Sequence, residues 1–573
     1  MSPPRQNIQM EPSSSSTAKY FAIGIIASAA IIAYASAWND SIIVDEDPHI
    51  GAGYSYLVKQ DMRLNPEHPP LVKDFAALPL LFLGLDHDAF ETKSWQEDIN
   101  GQWDFGRALI FKNNAILITH VAKIPPLILF VIAAWFIFRW ARERYGNKTG
   151  LLALILFAFS PTVMAHSRFV TTDIPAALGV LLATYYFLKY LKISSRGNFW
   201  LAAAMFGLAL VMKFSTILLV PFFVLLALIW GWRSIWRTVL VMIAGFVIIA
   251  WPLYYFHTYN YPPERQRHDT ETLLASNTNS LKPLVIWASD KPVMRAAAQY
   301  GLGLLMVTQR AAGGNTVYFR GNVTTSAGSS YFPFVYLIKE PLPWLILLVI
   351  AIMYHVTRIK MKPLIHGTWN VIHGHLDEVA MLLWLAIYWA VSIHSTLNIG
   401  VRHLLPVFPF MIILVSGQVI KFWKFFAFRF SLFALIAWYI LENLLVFPYY
   451  LTYFNQLVGG SANGHRYVVD SNLDWGQDLK RFADWTKQNN IKKIELDYFG
   501  WADQAYYLGD KFVWLTSDKY KSEGDFIAHN PSDGWIAVSA TFLMNESKAK
   551  YAWLYAHQPV TVIGNSIFVY RIL

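Results

Sequence analysis

Residues 21–54 read FAIGIIASAAIIAYASAWNDSIIVDEDPHIGAGY. The apolar run from Phe21 to Trp38 has the length of a segment that crosses a hydrocarbon core of about 30 Å, which takes roughly 20 residues. Close behind it stand Asp45 and Glu46. Ionisable groups beside the end of a membrane helix are costly unless they face a wet cavity, so both are functional candidates. The segment continues through Asp47-Pro48-His49, Gly53-Tyr54, the run Arg63-Leu64-Asn65-Pro66-Glu67-His68-Pro69-Pro70-Leu71, and Lys73. Carboxylates, histidines and cations held by prolines between two hydrophobic stretches predict a catalytic cavity at the membrane surface.

The remainder of the chain is equally apolar. Of 573 residues, 55% are hydrophobic and the mean hydropathy is positive, too oily for a soluble protein of this size. Runs long enough to span a bilayer begin near Phe21, Ala115, Leu151, Ile174, Phe199, Thr216, Thr238, Val335, Val379, Leu404 and Phe425, about eleven in all. The break at Lys213-Phe214 is soft. The expected fold is an all-α polytopic membrane protein with a small C-terminal α/β domain.

Cations orient it. With the N-terminus in the cytoplasm, the inside loops hold Arg139, Arg142, Arg144 and Lys148, then Lys189, Lys192 and Arg196, then Arg233 and Arg237. Arg358, Lys360 and Lys362 follow, then Lys421, Lys424 and Arg429, whereas the outside loops hold little beyond Arg168, Lys213 and Arg402. This positive-inside bias suits an odd number of spans and places the C-terminal region outside. It also accounts for most of the net charge of +10, which is therefore no sign of nucleic-acid binding. The chain has no cysteine, so disulfides and thiolate metal sites are excluded.

Outside the spans, residues 1–19 are Ser/Pro-rich and read as a disordered cytoplasmic tail, with a retained anchor behind it rather than a cleaved signal. Residues 20–449 form the membrane domain, with external loops at 39–114 and 257–334. The latter is rich in Gly, Asn, Thr and Ser from Gly313 to Ser330, loose enough to close over a site. Residues 450–573 change to a soluble pattern: Asp478–Asn490 is amphipathic, and Lys493–Phe499, Trp535–Ala540 and Val560–Arg571 alternate like strands.

These residues resemble a known family. Asp45-Glu46 with His49, Gly53 and Tyr54, followed by Asn65-Pro66-Glu67-His68-Pro69-Pro70-Leu71 and Lys73, looks like the first external loop of GT-C glycosyltransferases, most closely the protein O-mannosyltransferase and aminoarabinose-transferase branch, glycosyltransferase family 39. His166-Ser167-Arg168-Phe169-Val170-Thr171-Thr172-Asp173-Ile174-Pro175 is similar to that branch's second acidic loop. Gly207-Leu208-Ala209-Leu210 with Lys213-Phe214, Tyr331-Phe332-Pro333 with Lys339-Glu340-Pro341, and Arg402-His403-Leu404-Leu405-Pro406 continue the match in order. The run Asp470-Ser471-Asn472-Leu473-Asp474-Trp475-Gly476-Gln477-Asp478-Leu479 is familiar from bacterial and archaeal members of the group, with no chemistry attached to it.

The resemblance implies an enzyme of the plasma membrane that moves a sugar from a polyprenyl-phosphate carrier to an exoplasmic acceptor (protein, lipid or glycan), inverting the anomeric centre. An acceptor hydroxyl needs a positioned carboxylate to take its proton, a role that suits Asp45 or Glu46. The departing lipid phosphate gains charge, which nearby cations stabilise. Lys73, Arg168 and Arg402 are the exoplasmic cations beside family motifs, and Glu67, His68, Asp173 and His403 complete the expected substrate-binding set.

Plainer roles compete with each. Asp45 and Glu46 could mark a helix end, Asp173 could cap one, Lys213 could snorkel to a headgroup, and Glu67 with His68 could form a solvated turn. Nitrogen and oxygen ligands such as His68 and Glu67 also suit zinc, so a divalent metal is left open although nothing in the spacing demands it. A sugar or lipid transporter would show interrupted helices in related halves and binding groups at mid-membrane. A non-catalytic scaffold would have no reason to place carboxylates and cations on three loops facing one side. If the bias is read correctly, tags after Leu573 and near Ser326 are reached by membrane-impermeant reagents in intact cells, and a tag between Lys362 and Asp377 is not. A cytoplasmic C-terminus would mean a miscounted span near Lys213.

Overall fold

A computed structural model describes residues 12–359, 373–531, 534–546 and 549–572. Seven helices are long and apolar enough to cross a membrane: 16–36, 115–145, 173–192, 232–257, 376–394, 401–424 and 426–446. Two further pairs qualify as bent spans, 147–158 with 161–167 and 331–339 with 342–354. The remaining two expected spans are the shorter helices Arg196–Leu210 and Phe214–Trp230, parted at Val211–Lys213. Every stretch picked out by hydropathy is therefore helical. The first helix starts at Pro12, so residues 12–19, expected in a disordered tail, instead open the first span. A proline in the first turn lacks an N–H that would go unpaired there anyway. Residues 1–11, and with them most of the expected tail, lie outside the described residues, as do Lys360 and Lys362.

The helices 173–192 and 401–424 are 78% buried, against 22% for 232–257 and 426–446. The first two are central and the last two peripheral, with Ile243, Val247, Phe430 and Phe433 turned outward as lipid-facing surface requires. Each break in a bent span has partners for the backbone groups it frees, as a low-dielectric surrounding demands. At the 117° bend after Lys339, Asn455 donates from Nδ2 to the carbonyls of Leu337 (2.6 Å) and Glu340 (2.8 Å). At the 64° bend after Ala158, Asn443 Nδ2 donates to the Phe159 carbonyl at 2.9 Å and the Tyr439 hydroxyl to that of Leu156 at 2.6 Å.

The expected soluble region forms a five-stranded sheet from β3 (Ile494–Asp497), β4 (Phe512–Trp514), β5 (Gly534–Ser539), β6 (Thr561–Ile563) and β7 (Ile567–Ile572), in the order β4-β3-β5-β7-β6. β3 runs parallel to β4 and β5, while β7 is antiparallel to β5 and β6. The amphipathic stretch is the helix Leu479–Gln488, which buries Leu479 and Phe482. Short β4, half-exposed and without alternation, is the strand that the sequence pattern missed. The Gly313–Ser330 segment, expected to be loose, holds some regular structure. It carries the hairpin β1 (Val317–Phe319) and β2 (Asn322–Thr324), tied to the C-terminal region by Arg320 N–H to the Tyr467 carbonyl at 2.8 Å and by a bridge between Phe319 and Val468. Glycine at 321, at φ +84°, supplies the left-handed residue such a tight turn needs.

The sheet unit grips the membrane part through the segment just before Asp45. Ser41 N–H donates to the Gln477 carbonyl at 2.9 Å and Val44 N–H to that of Trp475 at 3.0 Å. Asp40, fully buried, pairs with Arg168 at 3.1 Å and Arg481 at 2.6 Å, and Arg481 also pairs with Asp478 at 2.6 Å. Burial pushes the Asp40 carboxyl up, but the two guanidiniums outweigh it and hold it below the ordinary range.

Two outcomes follow from this joint. Arg481→Met leaves Asp40 short of one partner and Asp478 without its cation, so thermal unfolding of the detergent-purified protein should show a loss of about 3 kcal/mol. Asp474, whose carboxylate accepts from the Thr541 N–H at 2.9 Å, is pushed up to about 8, first by burial. A carboxyl raised in the folded state contributes stability that is present below its unfolded value and lost as pH rises through the folded one. The melting temperature should therefore fall as pH rises from about 4 to about 8 and level off above that, and Asp474→Asn, which cannot ionise, should flatten that fall.

Candidate active site

Asp45 opens the helix Glu46–Lys59 from the N-cap position without capping it, which leaves its carboxylate free to reach elsewhere. Its Oδ2 meets Arg402 Nη1 at 2.8 Å. Arg402 stands on the first turn of the Val401–Lys424 span, and the same Nη1 lies 3.4 Å from Asp173 Oδ2. Asp173 opens its own span, wholly buried, and its other oxygen pairs with Lys213. Three helix ends thus bring together Asp45, Arg402, Asp173 and Lys213 as one alternating row. Lys213 is committed to Asp173 rather than to a headgroup, a correction to the snorkelling role. The soft break at Val211–Lys213 is what turns its amine inward.

The guanidinium of Arg402 is fixed from the C-terminal side. Nε donates to Ser471 Oγ at 3.2 Å, and the plane stacks 4.1 Å from the Trp475 ring. Asn472 accepts from the Val401 N–H at 2.9 Å and donates to the Tyr331 hydroxyl at 3.0 Å, locking the helix start that carries Arg402. The familiar but unassigned 470–479 run is thus the floor of the site. Sequence reasoning missed this because nothing in the run announces which distant cation it supports.

Asp45 and Arg402 lie on the wall of a cavity of about 400 Å³. The Asp45 side chain is 23% exposed, so of the two expected bases it is the one with access. Arg310 and the hairpin residues Asn315–Tyr318 line another side, and Asp470, Thr541 and Asn545 a third. Arg310 is exposed and, among the described residues, makes no close ion pair and no side-chain hydrogen bond, although its charge acts on Asp470 across the cavity. Asp470, at φ +55°, is pushed up to about 6 by burial, against the pull of Arg402. Neither was legible beforehand: Arg310 ends a helix inside a loop, and Asp470 sits in a segment with no periodicity.

The other expected residues are placed elsewhere. Glu46 is completely buried, accepting from the backbone N–H groups of Ile43 (3.1 Å) and Val170 (3.0 Å) and lying 3.4 Å from Lys123. Burial raises its carboxyl above the usual range, with Lys123 as the largest opposing influence. Facing protein on all sides, it joins the two acidic loops and does not border the cavity. Lys73 points its amine into four oxygens, the Tyr56 hydroxyl, the Asn65 carbonyl and side chain, and the His68 carbonyl, all at 2.8–2.9 Å. Fully buried, it is pushed down to about 7 and holds the Asn65–Pro70 turn. A side chain on Gly53 would collide with the Lys73 backbone, which is why the helix and the turn can close on each other there.

Glu67 accepts from Gln102 at 2.6 Å and Asn100 at 3.3 Å. The ring of His68 packs edge-on to His49 at 4.9 Å, and His49 Nδ1 lies 2.7 Å from the Val170 carbonyl. His403 is half-buried beside Arg402, 6.4 Å from the Phe332 ring. Arg168 belongs to the Asp40 joint. Among the described residues no group of three or more His, Asp or Glu converges as a metal site.

Comparison with known proteins adds a family. Residues 109–255 match the family model of dolichyl-phosphate-mannose-protein mannosyltransferases. No curated protein matches the chain. Among solved structures it is similar to ArnT from Cupriavidus metallidurans bound to undecaprenyl phosphate, with 12% identity over 96% of this chain and 98% of that one and a TM-score of 0.46. For the Archaeoglobus fulgidus oligosaccharyltransferase tethered with an acceptor peptide the figures are 12%, 94%, 72% and 0.45. For the Saccharomyces cerevisiae protein O-mannosyltransferase Pmt1-Pmt2 complex bound to the sugar donor they are 16%, 51%, 33% and 0.28. The matched segment, residues 109–255, contains Arg168, Asp173 and Lys213. Over those residues this multi-pass helical membrane protein is similar to the dolichyl-phosphate-mannose-protein mannosyltransferases.

Proposed function

We propose that the chain transfers a sugar from a polyprenyl-phosphate carrier to a hydroxyl-bearing acceptor on the exoplasmic side of the plasma membrane, within the Asp45–Arg402 cavity. The observation that carries this is the meeting of an accessible carboxylate, Asp45, with one partly committed cation, Arg402, and a second cation, Arg310, around a single cavity at helix ends, with Asp470 on a further wall. The family matched over residues 109–255, whose donor is a dolichyl-phosphate sugar, supports a carrier of that kind.

In this reading the carrier phosphate binds between Arg310 and Arg402. Its oxygens compete with Asp45 for the Arg402 guanidinium, and the released Asp45 accepts the acceptor's proton as that oxygen bonds to the anomeric carbon. The bond from the anomeric carbon to the phosphate oxygen breaks on the opposite face. The pair of electrons leaves with the lipid phosphate, whose growing charge the two guanidiniums stabilise more strongly than in the ground state. Attack from the face away from phosphate inverts the centre. Asp173 and Lys213 position Arg402 from behind, and the β1–β2 hairpin covers the donor against water. Residues 20–449 form the catalytic membrane part, and 450–573 the exoplasmic unit that completes the cavity wall. Lys73, Arg168 and Glu46 serve to hold the loops.

The test is to incubate the purified protein with a panel of polyprenyl-phosphate sugars and follow release of the lipid phosphate. Asp45→Asn should stay folded and lose about 10²–10⁴-fold in transfer. Arg310→Ala should weaken donor binding about tenfold, as loss of a charged hydrogen bond does, and Lys73→Met should act on thermal stability rather than on donor affinity. Transfer by Asp45→Asn equal to that of the parent would remove Asp45 as the base. Donor affinity untouched by Arg310→Ala would move the phosphate away from that cation.

A further inference from the structure

A second cavity, of about 410 Å³, opens in the C-terminal unit, past the ends of β3 and β4. Its lining follows β3 (Asp497 to Ala502), follows β4 (Leu515 to Ser517), and includes Phe542 and Glu546 beyond β5. The three strands are parallel, and the chain leaves β3 for β4 on one side and reaches β5 on the other. The crevice outside the carboxyl ends of parallel strands, where the order reverses, is where open α/β sheets bind ligands.

The walls are specific in chemistry. Trp514 is 61% exposed and Trp501 38% exposed, two large aromatic faces left open to solvent on the same cavity. Trp501 is fixed by stacking on Trp103 of the first external loop, ring centres 5.6 Å apart. That loop is also clamped to the same rim by Arg107 and Asp503, 2.8 Å apart. Between the indoles stand polar groups with capacity to spare. Asp497 accepts from the Tyr551 hydroxyl at 2.6 Å through one oxygen only. Gln504 is 7% exposed, and among the described residues neither its amide nor the Glu546 carboxylate has a hydrogen-bond partner. Burial holds Asp497 up at about 6.

Arg107 on the wall is already paired with Asp503, so the two carboxylates, Asp497 and Glu546, disfavour an anion such as a phosphate or an acidic peptide, and acceptor oxygens in this number are wasted on an acyl chain. A sugar ring satisfies both halves: its C–H face lies on an indole and its hydroxyls donate to carboxylate and amide oxygens. The cavity also abuts the transfer site. Phe542 lines both, and the adjacent Asn545 and Glu546 line one each.

We propose that this crevice is a carbohydrate-binding subsite that holds a glycan acceptor with its terminal residue directed past Phe542 into the Asp45–Arg402 cavity. The word acceptor rests on the transferase reading; the binding of carbohydrate does not.

The experiment titrates tetrasaccharides of mannose, glucose, galactose, N-acetylglucosamine and arabinose into the full-length protein in nanodiscs, read by saturation-transfer NMR and tryptophan fluorescence. At least one should bind. Trp514→Ala and Glu546→Gln should each weaken it about tenfold. No binding by any of the probes at about 10 mM, a concentration that detects even contacts of a few kcal/mol, overturns the proposal, as does binding indifferent to both crevice variants. Donor cleavage is measured in the same preparations. Lost glycan binding with donor cleavage intact in Trp514→Ala marks the crevice as working apart from donor chemistry. Glycan binding in a parent protein that cleaves no donor would strike the transferase reading and spare the subsite.

Discussion

Asp40 is a carboxylate with no exposure to water, and the structure around it is arranged to make that bearable. A lone buried charge costs several kcal/mol, so Asp40 has gathered a guanidinium from the second acidic loop, Arg168, and another from the C-terminal helix, Arg481. Each of those brings its own element with it. The end of the first span, the His166–Asp173 loop and the sheet unit are thereby tied at one point, a few residues upstream of Asp45. With backbone pairing between 41–44 and 475–477, this joint sets where the Asp45 carboxylate stands.

The same desolvation logic sorts the charged residues around the Asp45–Arg402 cavity. Those with complete burial, Glu46, Lys73, Arg168 and Asp173, turn their charged groups to partners inside the protein. Those with partial access, Asp45, Arg310 and Asp470, surround the cavity. Adjacent Asp45 and Glu46 show how sharp the division is. One residue's step along the chain turns a side chain from solvent to the interior, where two backbone amides and Lys123 receive it.

Much of the architecture was legible in the sequence, because hydropathy is a local property: each apolar run is a helix, and the alternating stretches became β3, β5 and β7. Asp45, Asp173 and Arg402 were legible as well, since each sits at a helix end beside a proline-bearing or acidic motif. The difference in burial between Asp45 and Glu46 was not, because it depends on Lys123 and Val170, far away in sequence. Arg310 escaped notice because its distinction is the lack of a close partner, a property of the assembled fold. The hairpin within 313–330 was missed for a related reason. Glycine and threonine suit a tight hairpin as well as a mobile loop, and the anchor at Tyr467 that decides between them is invisible locally.

The pairing of Ser41 with Gly476 and Gln477 joins residues some 435 positions apart. Contacts of such separation form late, after the intervening chain has been made and ordered. The membrane helices can be inserted one after another during synthesis, yet the segment ahead of Asp45 has nothing to pair with until residues 475–477 have been made and folded. A growing chain therefore holds its carboxylate and its cation without a common cavity. A chain cut short before residue 475 therefore lacks the very residues that would assemble one.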